Sequence, residues 1–370
     1  MSAAPIQTSH LATDWVAGWD AVAALRDDWI DLHRDAETRG AHLFNDFAFL
    51  DVWQAYFGHD RALAALTVRD GNGSLVGAAP LQIETKIRGP VSFRRLGFMH
   101  NTHISRVGAM MRGDVTDIAR AMAQGLAENA RLFDDVVFDG MVADCPAQTA
   151  LRDALSETGF DTSQTPEERS LCVVHFSGTE EAFIRSLPLN MRKNLSRAMR
   201  RCEGLPEFEL RVTTDPSLSR DLHRRLFSLD WLSAKRQAPG ACYSVSAKLF
   251  HTSLGERADE IGSIEFVEAW TRDQLIASIV SIVNLGVKYL YVTYFDDSYR
   301  EQAPGARVML RAICRGTEDP AIHTVDLNGD TEFLRRVSDG EVDRVVFRAN
   351  RRSGRSLVIG LARKAKRRLA

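Results

Sequence analysis

Residues 288–313 read KYLYVTYFDDSYREQAPGARVMLRAI. The first eight, rich in Tyr, Val and Phe, predict a buried strand. A polar stretch follows, and from Pro304 the apolar residues recur at helical spacing. Pro fits the first turn of a helix because its missing N–H has no partner there. The first-turn N–H groups lack intrahelical acceptors and the helix dipole favours an anion, so a strand–loop–helix of this kind is a place for a phosphate. On this reading Gly305 admits a ligand to the backbone with no Cβ in the way.

Upstream, three apolar strands run together: SIEFVEAW (263–270), LIASIVSIV (275–283) and KYLYVTYF. The pair FVEAWTRDQLIASIVS (266–281) resembles LTVRDGNGSLVGAAPL (66–81), each a strand, a polar turn and a second strand opening on Leu. A helical segment precedes each hairpin and strand–helix–strand follows, which predicts two copies of one α/β unit. The expected boundaries are 1–176, 177–343 and a basic segment 344–370. Helices are expected over 14–39, 48–58 and 114–133, and strands at 93–98, 106–111, 134–141 and 171–176.

The chain has 370 residues, long for one domain, with the apolar and charged content of an ordinary globular protein. Its five Cys are dispersed, with no Cys-x-x-Cys, which argues against a disulfide framework or a structural zinc. The start lacks the apolar run of a signal peptide, and no stretch reaches the roughly 20 apolar residues of a membrane span. A cytoplasmic protein is expected. Ten of the 47 Lys and Arg lie from Arg344 onward, where there is no acid. Before it, 37 basic residues face 49 acidic ones, a balance of −12. Such a tail suits an anionic surface, so a peripheral place at the inner face of a membrane is also expected. Leu357, Val358, Leu361 and Ala362 give it an apolar face beside Arg363, Lys364, Lys366, Arg367 and Arg368. The acidic body argues against nucleic acid.

The segment Gln302-x-x-Gly305-x-Arg307 resembles the Q/R-x-x-G-x-G/A loop of the GNAT acyltransferase superfamily. The ordered series LFNDFAFLDVWQAYFG (43–58), LVGAAPLQIET (75–85), RRLGF (94–98), LNMRKNLSRAMRR (189–201), YFDDSYREQAPGARVMLRAI (294–313) and VDLNGDTEF (325–333) resembles its cellulose-biosynthesis-type (CelD/BcsL-like) branch, related to the Fem aminoacyltransferases. The resemblance implies an α/β fold of two tandem GNAT-like units, each a mixed, mostly antiparallel sheet flanked by helices. It implies transfer of an acyl group from acyl-coenzyme A, or an acyl carrier protein, to an amine. A lipid or envelope precursor such as a long-chain sphingoid-type amine lies within the family's range. Gln302, Ala303, Pro304, Gly305, Ala306 and Arg307 would hold the coenzyme A, and no metal is implied. The first unit would shape the acceptor site. Three departures stand out: Arg307 where the loop ends on Gly or Ala, Ala303 where the family has Ser, and Phe333-Leu334 where it has Tyr-Lys, which removes a cation. The alternatives are a Fem-like enzyme using aminoacyl-tRNA and a non-catalytic protein with a decayed site.

Acyl transfer to an amine needs a base for the ammonium proton, donors to the carbonyl oxygen and an acid for the thiolate. Candidates are His103, Asp326, Glu332 and Tyr294, with Asp330 read as the cap of the helix that follows it. Arg192 and Lys193 of the basic helix, and Asn101 and Arg106 of HNTHISR (100–106), are candidates for holding substrate.

Overall fold

The computed structural model describes residues 11–36, 42–88, 91–233 and 244–350. Two compact units emerge, one from Met1–Glu168 with Asp343–Ala370, the other from Arg169–Val342.

The first unit runs β1 (Ala12–Ala17), α1 (Trp19–Ala23), α2 (Arg26–Asp35), α3 (His42–Asn45), α4 (Phe47–Phe57), β2 (Ala62–Arg69), β3 (Leu75–Arg88), β4 (Val91–Phe98), β5 (Met110–Met111), α5 (Val115–Glu128), β6 (Asp135–Val142), α6 (Pro146–Glu157) and β7 (Asp161–Pro166). The second runs β8 (Leu171–Val174), α7 (Glu180–Ser186), α8 (Leu189–Glu203), β9 (Phe208–Thr213), α9 (Ser219–Ser228), α10 (Val245–Glu256), α11 (Ala258–Ile261), β10 (Ser263–Thr271), β11 (Gln274–Asn284), β12 (Val287–Phe295), α12 (Pro304–Glu318), β13 (Thr324–Asp326), α13 (Glu332–Val337) and β14 (Gly340–Val342). The chain then rejoins the first sheet as β15 (Arg344–Asn350).

The sheets have matching orders, β1-β2-β3-β4-β6-β15-β7 and β9-β10-β11-β12-β13-β8-β14, with β5 beside β3. The two similar hairpins are β2–β3 and β10–β11, second and third in each order. In each sheet one parallel pair, β4 with β6 and β12 with β13, interrupts an otherwise antiparallel arrangement. The expected pair of mixed, mostly antiparallel α/β units is therefore present.

Two expectations change. The stretch expected as one helix over 14–39 begins with a strand: β1 pairs antiparallel with β2, Trp15 opposite Leu66. Its side chains alternate between exposed and half-buried, as an edge strand's do. The boundaries also move. β8 belongs to the second sheet, and Arg344–Asn350, expected in the basic tail, is an inner strand of the first. The strands exchanged are equivalent: each lies between the sheet's short parallel pair and its edge strand. The basic segment 351–370 lies outside the described residues.

In the second unit the sheet is covered on both faces. Val308, Ile313 and Leu310 of α12 pack with Val267, Ile279 and Leu290. Leu222, Leu226 and Phe227 of α9 pack with Phe266, Val280 and Tyr294.

Candidate functional site

β12 and β13 pair at only three positions, Val287–Thr324, Lys288–Val325 and Tyr289–Asp326. β13 ends there, and beyond Tyr289 the described residues pair β12 with β11 alone. Across from β11 the register skips Tyr291, a bulge that twists β12 further. The sheet thus opens where β12 leads to α12.

Ala303 turns the chain in the left-handed region at φ 53° and stands as the N-cap with no side-chain cap. The N–H groups of Ala306 and Arg307 donate to the Ala303 carbonyl at 3.1 and 3.2 Å. Gly305 carries the first-turn N–H outside that set. Packing adds its own need for glycine here: a Cβ at Gly305 would lie 2.9 Å from Cδ1 of Phe295, so the close approach of helix to strand leaves no room for one. The guanidinium of Arg307 turns to Glu180 of α7 (3.4 Å), which Arg311 shares at 3.2 Å. Gln302 is anchored through its carbonyl, which accepts from Cys202 Sγ at 2.9 Å, while its buried Oε1 has no hydrogen-bond partner. Burial pushes the Cys202 thiol up to about 11, so it stays a neutral donor.

Cys202 belongs to the basic helix α8, which packs on α12 and the turn before it. Met191, Leu195, Ala198 and Cys202 face the core. Lys193, Arg197, Arg200 and Arg201 are exposed, and Arg192 is half-buried.

The base candidates separate. Asp326 sits where β12 and β13 part, but it is 1% exposed and its Oδ1 accepts from the Asn328 N–H at 2.7 Å. Glu332 is exposed and paired with Arg336. Tyr294 is a core residue, 2% exposed, edge-on to Phe227. Asp330 does not cap α13. Thr331 does, its Oγ1 accepting from Leu334 N at 3.3 Å, and Asp330 is drawn instead to Arg335.

In the first unit, His103 stacks on Phe57 at 5.1 Å, and burial lowers its pKa to about 4. The ring is neutral near pH 7 and a weak base. Asn101 Oδ1 accepts from His103 N at 2.9 Å. Arg106 is fully buried. His100 is also pushed down, first by burial. In the second unit burial holds His223 at about 4. These depressed values have a consequence for stability. The unfolded chain binds the His103 and His223 protons near pH 6.5 and the folded chain only near 4, so their stabilisation is complete above 6.5 and is lost as pH falls toward 4. The melting temperature should therefore fall on acidification through this window, and less in His223→Gln. A melting temperature independent of pH there would contradict the burial.

Among the described residues, no group of three or more His, Cys, Asp or Glu could hold a metal ion. None of the described helices is long and apolar enough to cross a membrane. The four described cysteines are buried free thiols.

Residues 190–335 match the family model described as an acetyltransferase (GNAT) domain. The second unit carries a GNAT domain. The chain thus contains an acyltransferase domain, and the strand opening and the α12 turn both lie within it. No curated protein matches by sequence. Solved structures share the fold at low identity. FemX is 11% identical at a TM-score of 0.55, over 86% of this chain and 95% of that one. A conserved protein of unknown function from Bacteroides thetaiotaomicron is 11% identical at 0.54, over 89% and 97%. The C-terminal domain (DUF2156) of a putative lysylphosphatidylglycerol synthetase from Agrobacterium fabrum is 11% identical at 0.51, over 91% and 95%. These likenesses concern the fold.

Proposed function

We propose that the chain transfers an acyl group from a coenzyme A thioester to an amine, with the donor's pyrophosphate at Gln302–Arg307. The observation that carries this is the uncapped start of α12 at the opening of the second sheet, inside the GNAT match. The first unit supplies the contrast. The helix after its own parallel pair's first strand, α5, is capped by Asp114, whose carboxylate accepts from Thr116 N at 2.9 Å and Asp117 N at 3.1 Å. A carboxylate already fills the place a phosphate would take there. Only one of the two equivalent helices offers its first turn to an anion.

In the transfer, the amine nitrogen loses its ammonium proton and attacks the thioester carbonyl carbon. The C–S bond then breaks, and the thiolate leaves and is protonated. The developing oxyanion needs hydrogen-bond donors, and the edge of β12 beyond Tyr289 offers backbone N–H groups. Asp326, at the point of parting, is the best placed of the carboxylate candidates. The exposed cations of α8 favour a phosphorylated donor nearby. A lipid acceptor at an anionic membrane rests on residues 353–370, outside the described residues, and neither unit adds to it.

The test is thiol release from acetyl-coenzyme A and longer acyl-coenzymes A, with a panel of amines and with water alone. Amine-dependent release is expected. If coenzyme A neither binds nor is released, and aminoacyl-tRNA supports transfer instead, the donor assignment fails in favour of the Fem-like chemistry.

A further inference from the structure

One face of the first sheet is polar where a core would be apolar. Register places Gln82, Glu84 and Lys86 of β3 on the same side as Arg95 and Gly97 of β4 and Asp135 and Val137 of β6. The opposite side carries Leu96, Phe98, Val136 and Phe138, with Phe98 and Phe138 stacked at 4.2 Å. The polar side lines a cavity of about 260 Å³ at the place where β4 and β6 part after two paired positions. A second cavity of about 410 Å³, bordered by Tyr56 and Phe57, shares Arg61, Glu84 and Lys86 with it.

The charges in the cavity are sorted. Glu84 pairs with both Arg61 (3.2 Å) and Lys86 (2.5 Å), and Arg95 pairs with the buried Asp135 at 3.0 Å. Three cations and three carboxylates therefore meet here, with Glu84 and Asp135 held in these pairs and Asp139 set apart from them. Asp139 lines the same cavity, where its charge acts on the neighbouring imidazole of His100. It stands beside a bulge: Val345 pairs with Met141 and Phe347 with Phe138, and Gly140 takes φ +74°. Bulges of this kind re-aim the neighbouring side chain. A Cβ at Gly140 would come within 3.2 Å of His100 Nε2. The imidazole of His100, which also lines the cavity, is thus held against the bulge by a position that only glycine fills easily.

We propose that this cavity binds a small molecule bearing a primary ammonium and an anionic group, the ammonium at Asp139 and the anion at the Arg61, Lys86 and Arg95 side. Neither a simple amine nor a simple anion matches both ends. A coenzyme A pyrophosphate does not fit this unit, because Asp114 closes the helix start where it would sit. If the chain is an N-acyltransferase, as proposed above, such a molecule is the acceptor, and the cavity selects it by charge. That last clause rests on the donor reading; binding itself does not.

The experiment is calorimetric titration of the full chain, without any thioester, with glycine, γ-aminobutyrate and O-phosphoethanolamine. Ethanolamine and inorganic phosphate serve as the single-charge fragments. At least one zwitterion should bind more tightly than either fragment. Asp139→Asn should weaken that binding about tenfold or more, as expected for one charged hydrogen bond, and leave phosphate unaffected. Lys86→Met, at a half-exposed side chain, should weaken the zwitterion and phosphate but spare ethanolamine. The proposal is overturned if no zwitterion binds, if the fragments bind as tightly, or if folded Asp139→Asn binds like the wild type. Coenzyme A affinity is measured on the same samples. Its loss or absence bears on the donor site and leaves the cavity result standing.

Discussion

Glu265→Ala should destabilise the second unit by about 3–5 kcal/mol, the range for removing one partner of a buried ion pair. Glu265 of β10 is the counter-charge for two cations. Lys288 Nζ of β12 reaches one of its oxygens and Arg315 Nε of α12 the other at 3.0 Å. Lys288 is 1% exposed. Burial pulls its pKa below the usual lysine value, and Glu265 pushes the other way. Without Glu265, only desolvation and the like charges of Arg315 and Arg311 act on the ammonium. The folded chain then binds fewer protons than the unfolded one up to the ordinary lysine value of 10.5, so stability should rise with pH toward it, more steeply than in the parent. Denaturant titration followed by a probe in the second unit measures both effects. Lys288→Met in the Glu265→Ala background should recover much of the loss, because no lysine ammonium is left buried. Equal destabilisation of the single and double variants would show that the cost lies in packing.

The parts of the fold that were legible are those with strong local patterns. The β2–β3 and β10–β11 hairpins have two apolar runs on either side of a polar turn. α12 shows its start in Pro304 and its core face in Val308, Ala312 and Ile313. β1 escaped notice because ATDWVA is short and merges with helical residues after Gly18, where φ of +84° breaks the chain. The exchange of β8 and β15 was not legible at all. Both sequences look like strands, but which sheet a strand joins is a contact between residues far apart in the chain. At the site, sequence located the turn but not the contacts that hold it. Gly305 answers to the Phe295 ring, and Arg307 answers to Glu180, a residue 127 positions away. The polar alternation Gln82-x-Glu84-x-Lys86 was available as a signal in a strand otherwise read only for its apolar residues. Asp139 gains meaning only when register brings β6 beside β4.

Gly305→Asp should lower coenzyme A affinity about a hundredfold, and the reason divides into two measurable parts. The first is packing. Any Cβ at Gly305 meets Cδ1 of Phe295 at 2.9 Å, so the α12 start must shift from β12, at a cost of about 1–3 kcal/mol. The second is charge. A carboxylate at the second helical position competes with the pyrophosphate for the same amide and dipole, worth up to about 2 kcal/mol in a partly buried setting. Together these approach 3 kcal/mol, which is on the order of 10² in Kd. Asp114 at the start of α5 shows the outcome of the charge part, since there a carboxylate holds the first-turn amides itself. Gly305→Ala isolates the packing part and should lose only about tenfold. Phe295→Leu, which removes the ring edge, should return most of the alanine variant's loss and little of the aspartate variant's. Calorimetric Kd values for coenzyme A, with melting temperatures to confirm folding, separate the cases. A folded Gly305→Asp protein that binds coenzyme A like the parent would move the donor away from α12, and with it the reaction proposed for this unit.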